Sequence, residues 1–156
     1  SWDELEWIDG AREAVARLTE DGWLLFVATN QSGVARGYYT ESDVQLLHEQ
    51  MNSSFRELGG NITKFFYCPH LPGAPVKKYD VVCDCRKPAP GMIIRAINEY
   101  NLPKDQVFLF GDSDRDIKAA EAAGIKGFLF DGTNLKDFVY QKLAGLGYRD
   151  NGKEDI

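Results

Sequence analysis

Strands alternating with helices predict an α/β fold, a parallel sheet covered on both faces. Three observations carry this. Short, wholly apolar runs such as 23–28 (Trp-Leu-Leu-Phe-Val-Ala) suit strands buried on both faces. Apolar residues at helical spacing fill the stretches between them. Polar, turn-forming clusters follow the strands, and the carboxyl ends of strands are where such sheets bind ligands.

Residues 8–20 carry Ala11, Ala14, Val15 and Leu18 at helical spacing, and Asp21-Gly22 ends that helix. Residues 23–28 form the first strand. Thr40 caps a long helix through Leu58, with Glu41, Ser42 and Asp43 in its first turn, and Gly59-Gly60 stops it. Strands follow at 62–67, 106–110 and 127–130. Helices follow at 90–100, 113–123 (closed by Gly124) and 134–143. The aromatics Trp23, Phe26, Phe65, Phe66, Phe108, Phe110 and Phe128 fall in strands and are expected in the core. His48 lies on the long helix, with a solvated or partly packed role expected. No repeat, low-complexity segment or linker divides the chain. One domain over 1–146 and a polar tail over 147–156 are expected.

The chain has 156 residues and a formal net charge of −6. That balance argues against nonspecific binding to nucleic acid or an anionic membrane, which needs clustered Lys and Arg. No run of about 18 apolar residues exists to span a bilayer. The first residues, Ser1-Trp2-Asp3-Glu4, show no basic signal-peptide region. All 3 cysteines lie in one short window, which fits a reducing compartment better than a disulfide framework. A cytoplasmic monomer is expected.

That window reads Cys68-Pro69-His70, a loop, then Cys83-Asp84-Cys85-Arg86-Lys87-Pro88. Three cysteines and one histidine are a standard tetrahedral ligand set for structural zinc. The alternative is three buried free thiols and an unrelated histidine. Two tight ligand pairs flanking one loop favour the metal, although neither has the more usual two-residue spacing. A zinc knot there would aim Arg86 and Lys87.

Thr29-Asn30-Gln31-Ser32-Gly33, after the first strand, offers hydroxyls, amides and backbone N–H groups to phosphate oxygens, or is an ordinary turn. Asp112 and Asp116, four apart at a helix start, suit a hard cation such as magnesium, or cap the helix. Arg86 and Lys87 suit a phosphoryl group, or are a solvated basic pair.

Together these segments resemble the haloacid dehalogenase superfamily of phosphatases, in the branch holding histidinol phosphatases and D-glycero-D-manno-heptose-1,7-bisphosphate 7-phosphatases. Thr-Asn-Gln-Ser-Gly-Val-Ala-Arg-Gly at 29–37 is similar to its second motif. Residues 67–92 resemble its zinc loop and third motif, and Gly111-Asp-Ser-x-x-Asp116 its fourth. Ser113 stands where this branch often has lysine. The resemblance implies a Rossmann-like, doubly wound sheet with a zinc loop and no large cap domain. It implies a magnesium-dependent phosphomonoesterase acting on a small phosphorylated substrate, with the heptose enzyme favoured and histidinol phosphatase as the alternative. Magnesium would sit at Asp112, with Asp116 helping to orient that site. The phosphate would be held by Thr29, Asn30, Gln31, Ser32 and Ser113. Arg86 and Lys87, with Thr29, would stabilise the phosphoryl group in transfer.

The family's first motif, Asp-x-Asp-Gly-Thr, supplies the nucleophile of an aspartyl-phosphate mechanism and the acid–base. It occurs nowhere in this sequence; Phe128-Leu-Phe-Asp131-Gly-Thr133 has Leu129 at the nucleophile position. The resemblance places that motif on the central strand, between the strands of 23–28 and 106–110. Those two strands are therefore expected not to pair, and the 156 residues alone are expected to be inactive. The reading outside catalysis is a zinc-stabilised module that binds phosphate without cleaving it.

Overall fold

The computed structural model describes residues 8–149, so the acidic start and most of the polar tail lie outside the described residues. Contacts divide the chain into two compact units. The first comprises 1–26, 47–64 and 130–156, and the second 27–46 and 65–129.

In the first unit, helix α1 (Ala11–Glu20) packs on α6 (Leu135–Gly145) through buried Ala14, Phe138, Val139 and Leu143. The helix expected from residue 8 starts later because Gly10 holds its N-cap at a φ of 80°. At the other end Gly22 has a φ of 90°, and the Trp23 N–H reaches back to the Leu18 carbonyl at 3.0 Å. This left-handed helix stop consumes the start of the expected strand. Strand β1 therefore runs over Phe26–Asn30, and Trp23 packs edge-on against Tyr148. Asn52 clamps Ile62, its Oδ1 accepting the Ile62 N–H at 2.8 Å and its Nδ2 donating to the Ile62 carbonyl at 3.1 Å. His48 is buried, more so than expected, and burial lowers its imidazole pKa.

Helix α3 (Glu41–Glu57) follows the expected pattern: Thr40 Oγ1 accepts the Asp43 N–H while Asp43 returns a bond to the Thr40 N–H. This is a reciprocal cap. In the second unit a short helix, α2 (Ser32–Ala35), stands where a loop was expected, with Gly33, Val34 and Ala35 all buried. Strand β2 (Lys64–Cys68) pairs with β1. Helix α4 (Gly91–Glu99), strand β3 (Phe108–Gly111), helix α5 (Asp114–Ala123) and strand β4 (Lys126–Leu129) complete it. Short 3-10 turns add Lys77–Tyr79 and Lys104–Gln106.

Strands β3 and β4 are parallel, with Phe108 opposite Lys126 and Gly111 opposite Leu129. Ile93 and Ile97 of α4 pack with Ala119, Ala120 and Ala123 of α5 and with Ile125, against Val107 and Leu109. Among the described residues β1 pairs only with β2, and β3 only with β4. As expected, then, β1 and β3 do not pair. Both strands are half-buried throughout, not buried on both faces, because each has one ladder partner. The strand aromatics follow suit: Phe66 is buried, whereas Phe26, Phe108, Phe110 and Phe128 are half-buried.

Candidate active site

Three segments far apart in sequence meet in one cleft of the second unit. Its lining is Thr29, Asn30, Lys87, Asp112, Ser113, Arg115 and Asp116. Thr29 and Asn30 end β1. Asp112 and Ser113 follow β3, and Asp116 lies in the first turn of α5. Lys87 comes from the loop behind the cysteine window.

Asp116 is saturated. One oxygen accepts from the Lys87 ammonium at 2.5 Å, and the other from the N–H groups of Asp112 and Ser113 and the Ser113 hydroxyl. Ser113 and Asp116 thus form a capping box. Burial pushes the Asp116 carboxyl up. The Lys87 hydrogen bond and charge, with the Ser113 bonds, outweigh it and bring the carboxyl below its ordinary value. Its neighbour Asp112 is exposed and makes no side-chain hydrogen bond among the described residues. The pair therefore splits in role. Asp112 keeps an uncommitted carboxylate in the lining of the cleft, while Asp116 braces the loop.

Lys87 is pinned at both ends. Asn30 Oδ1 accepts its backbone N–H at 2.9 Å, and Asn30 Nδ2 donates to its carbonyl at 3.1 Å. The ammonium donates to the Ala28 carbonyl at 2.8 Å as well as to Asp116. An ammonium has three donors, so one is left for the cleft.

The expected residues do not all converge. Gln31 donates to the Thr29 hydroxyl and accepts from Tyr39, and Ser32 opens α2; neither lines the cleft. Arg86 turns the other way, its guanidinium 3.4 Å from the His70 carbonyl. Arg115 lines the cleft although sequence reading passed over it. A cation in the first turn of a helix, against the dipole, was the available signal.

The cysteine window closes into a knot. Cys68 Sγ lies 3.6 Å from His70 Nδ1 and 3.5 Å from Cys83 Sγ; Cys85 Sγ lies 3.4 Å from His70 Nδ1 and 3.5 Å from Cys83 Sγ. All four ligand atoms fall within 4.8 Å of one another. Zinc–ligand bonds of about 2.0–2.3 Å imply tetrahedral edges of roughly 3.4–3.8 Å, so the four side chains fit that ion. Burial is the largest influence on all three thiols and raises Cys68 and Cys85. At Cys83 bonds from the Arg86 and Cys85 N–H groups, with those of His70 and Cys85 side chains, overcome burial and bring the thiol to about 7.

Behind the knot, Glu41 accepts the hydroxyls of Tyr67 at 2.8 Å and Tyr79 at 2.7 Å, tying α3 to β2 and to the loop. The Tyr79 and Tyr67 bonds hold the Glu41 carboxyl below its ordinary value against burial. A lowered carboxyl stabilises the fold above its unfolded pKa and loses that contribution as pH falls through the folded one. Glu41→Gln should therefore cost about 1 kcal/mol near pH 7, and the deficit should shrink below about pH 4. Urea unfolding at the two pH values checks this.

A family model described as HAD-hydrolase-like matches residues 84–135. Over 144 residues the chain is 40% identical to the D-glycero-beta-D-manno-heptose-1,7-bisphosphate 7-phosphatase of Rhodopseudomonas palustris, covering 92% of this chain and 80% of that protein. It is 36% identical to the Escherichia coli protein of the same name, over 92% and 80%. The crystal structure of the D,D-heptose 1.7-bisphosphate phosphatase of B. bronchiseptica, complexed with magnesium and phosphate, superposes with a TM-score of 0.79 at 32% identity. That likeness covers 93% of this chain and 88% of the other. The chain belongs to the heptose-bisphosphate phosphatase family of the haloacid dehalogenase superfamily.

Proposed function

We propose that this chain is the body of a phosphomonoesterase that removes the 7-phosphate of D-glycero-D-manno-heptose 1,7-bisphosphate. The observation that carries the reading is the meeting of Thr29, Lys87 and Asp112 in one cleft. The relatives' names supply the sugar and favour it over histidinol phosphate. Thr29 donates its hydroxyl to a phosphate oxygen, and Lys87 gives its third N–H to another. Asp112 would hold magnesium, which when bound neutralises phosphate charge. Arg86 adds positive charge from the edge of the knot, and Ser113 lines the cleft beside Asp112. Cys68, His70, Cys83 and Cys85 would hold zinc with no position left for water, hence a structural ion. No helix among the described residues is long and apolar enough to cross a membrane. The free cysteines and the net charge of −6 support a cytoplasmic, monomeric enzyme.

A non-catalytic phosphate-binding module is the second reading, favoured by the lack of Asp-x-Asp-Gly-Thr in these 156 residues. Isotope-edited spectra of the chain titrated with magnesium and inorganic phosphate test both. Thr29, Lys87, Asp112 and Ser113 should shift together; no shift at these residues would overturn the cleft assignment. Heptose bisphosphate should be bound by these 156 residues and not hydrolysed. A longer protein carrying an upstream Asp-x-Asp-Gly-Thr should release the phosphate from C7, and a longer protein lacking that motif or turnover would favour the binding module. Genuine turnover by the 156 residues would show that another side chain attacks phosphorus.

A further inference from the structure

We propose that Asn30 is a positioning residue for Lys87 and not a phosphate ligand. This rests on the phosphate-binding reading of the cleft. An amide side chain has a carbonyl acceptor and a two-hydrogen donor. In Asn30 the acceptor takes the Lys87 N–H and the donor meets the Lys87 carbonyl, 57 residues away. The Asn30 oxygen is thus committed to the Lys87 N–H, and in the amide's donor only the second hydrogen stays uncommitted.

The consequence lies in where Lys87 is free to go. A lysine on an unanchored loop spreads its charge over many rotamers. Here the backbone is fixed by Asn30, and the ammonium by Ala28 and Asp116. What remains is one N–H at a fixed place. Asn30 belongs to β1, as does Ala28, so a single strand end sets both the root and the tip of the lysine. Phosphate then meets a charge that needs no reorganisation.

The same two-bond clamp occurs at Asn52 and Ile62, neither of which lines the cleft. It is the internal control. The test uses the full 156-residue chain with nitrogen-15 label, loaded with zinc. The Lys87 ammonium signal, identified by its loss in Lys87→Met, should be sharp in the parent and broadened beyond detection in Asn30→Ala at unchanged zinc content. In magnesium, Asn30→Ala should weaken inorganic phosphate binding about tenfold, the size of one lost charge-assisted bond. In the Lys87→Met background the same change should cost less than about twofold, because there is no ammonium left to position. Asn52→Asp should lower stability and leave phosphate affinity alone. If Asn30→Ala fails to fold, the near-isosteric Asn30→Asp should still broaden the Lys87 signal by repelling its carbonyl. A persistent sharp signal in the folded variant would overturn the proposal. So would a tenfold loss that recurs in Lys87→Met, since Asn30 would then touch phosphate itself. If the parent binds no phosphate, the phosphatase reading fails, and the ammonium signal alone decides the clamp.

Discussion

Cys68→Ser is expected to strip zinc from the protein. Cys68 is 0% exposed and its sulfur touches both His70 and Cys83 at 3.5–3.6 Å. A serine hydroxyl is a poor ligand for a thiolate-rich site and is too short to reach a point set by sulfur. Metal analysis should fall from one zinc per chain to almost none. Zinc binds the folded form, so its loss removes about 4 kcal/mol where free zinc stands a thousandfold above its dissociation constant. The loosening should begin between Leu71 and Cys85, because the knot closes both ends of that loop and only a few bonds, such as Tyr79 to Glu41 and the Val76 N–H to the Ala35 carbonyl, tie down the rest. Amide exchange there should rise well before it rises in α4 and α5, whose apolar packing is independent of the metal. Retained zinc, or simultaneous exchange everywhere, would refute this account.

Lys87→Met is expected to have an effect of similar size by another route. It keeps the stem and removes the charge. Asp116, with only 9% of its side chain exposed, is left as a carboxylate without a cation. Losing one partner of a buried pair costs about 3 kcal/mol or more. The three donors on the other Asp116 oxygen temper the loss. The sign of the pH dependence follows. Asp116 is lowered in the parent, so its contribution is present above the ordinary aspartate value of 3.8 and fades below it. The gap in stability between parent and variant should therefore close in acid. Phosphate binding should weaken, and remain measurable at high phosphate, at every pH where the cleft is folded. Denaturant curves at two pH values, with phosphate titrations, measure both.

Much of this was legible in the sequence because it is local. Helical spacing placed α4, α5 and α6 to within a residue or two, and Thr40 announced the cap of α3. The zinc knot was legible because its ligands come in adjacent pairs. What sequence could not show is what depends on distant partners. Asn30 reads as a loop donor until Lys87 takes both ends of its amide. Arg86 and Lys87 read as a pair, yet one turns to His70 and the other to Asp116. The helix α2 was missed because turn-forming letters hid three residues buried by tertiary packing.

Gly111 has a consequence for how this chain tolerates substitution. A Cβ built on it would collide with the side chain of Asp116, and its φ is not in the left-handed range. The demand is for space, so the glycine and the aspartate five positions on form one unit of inheritance. A saturation library at position 111 should return glycine alone, alanine included among the losses, while the exposed position 114 between them should accept almost anything. Pairing the library with Asp116→Gly, which also removes the Cβ that alanine at 111 would meet first, should let alanine back in at 111, at the cost of the brace beneath Lys87. Covariation of the two positions, not the identity of either, is then the mark by which this loop can be followed through divergent sequences.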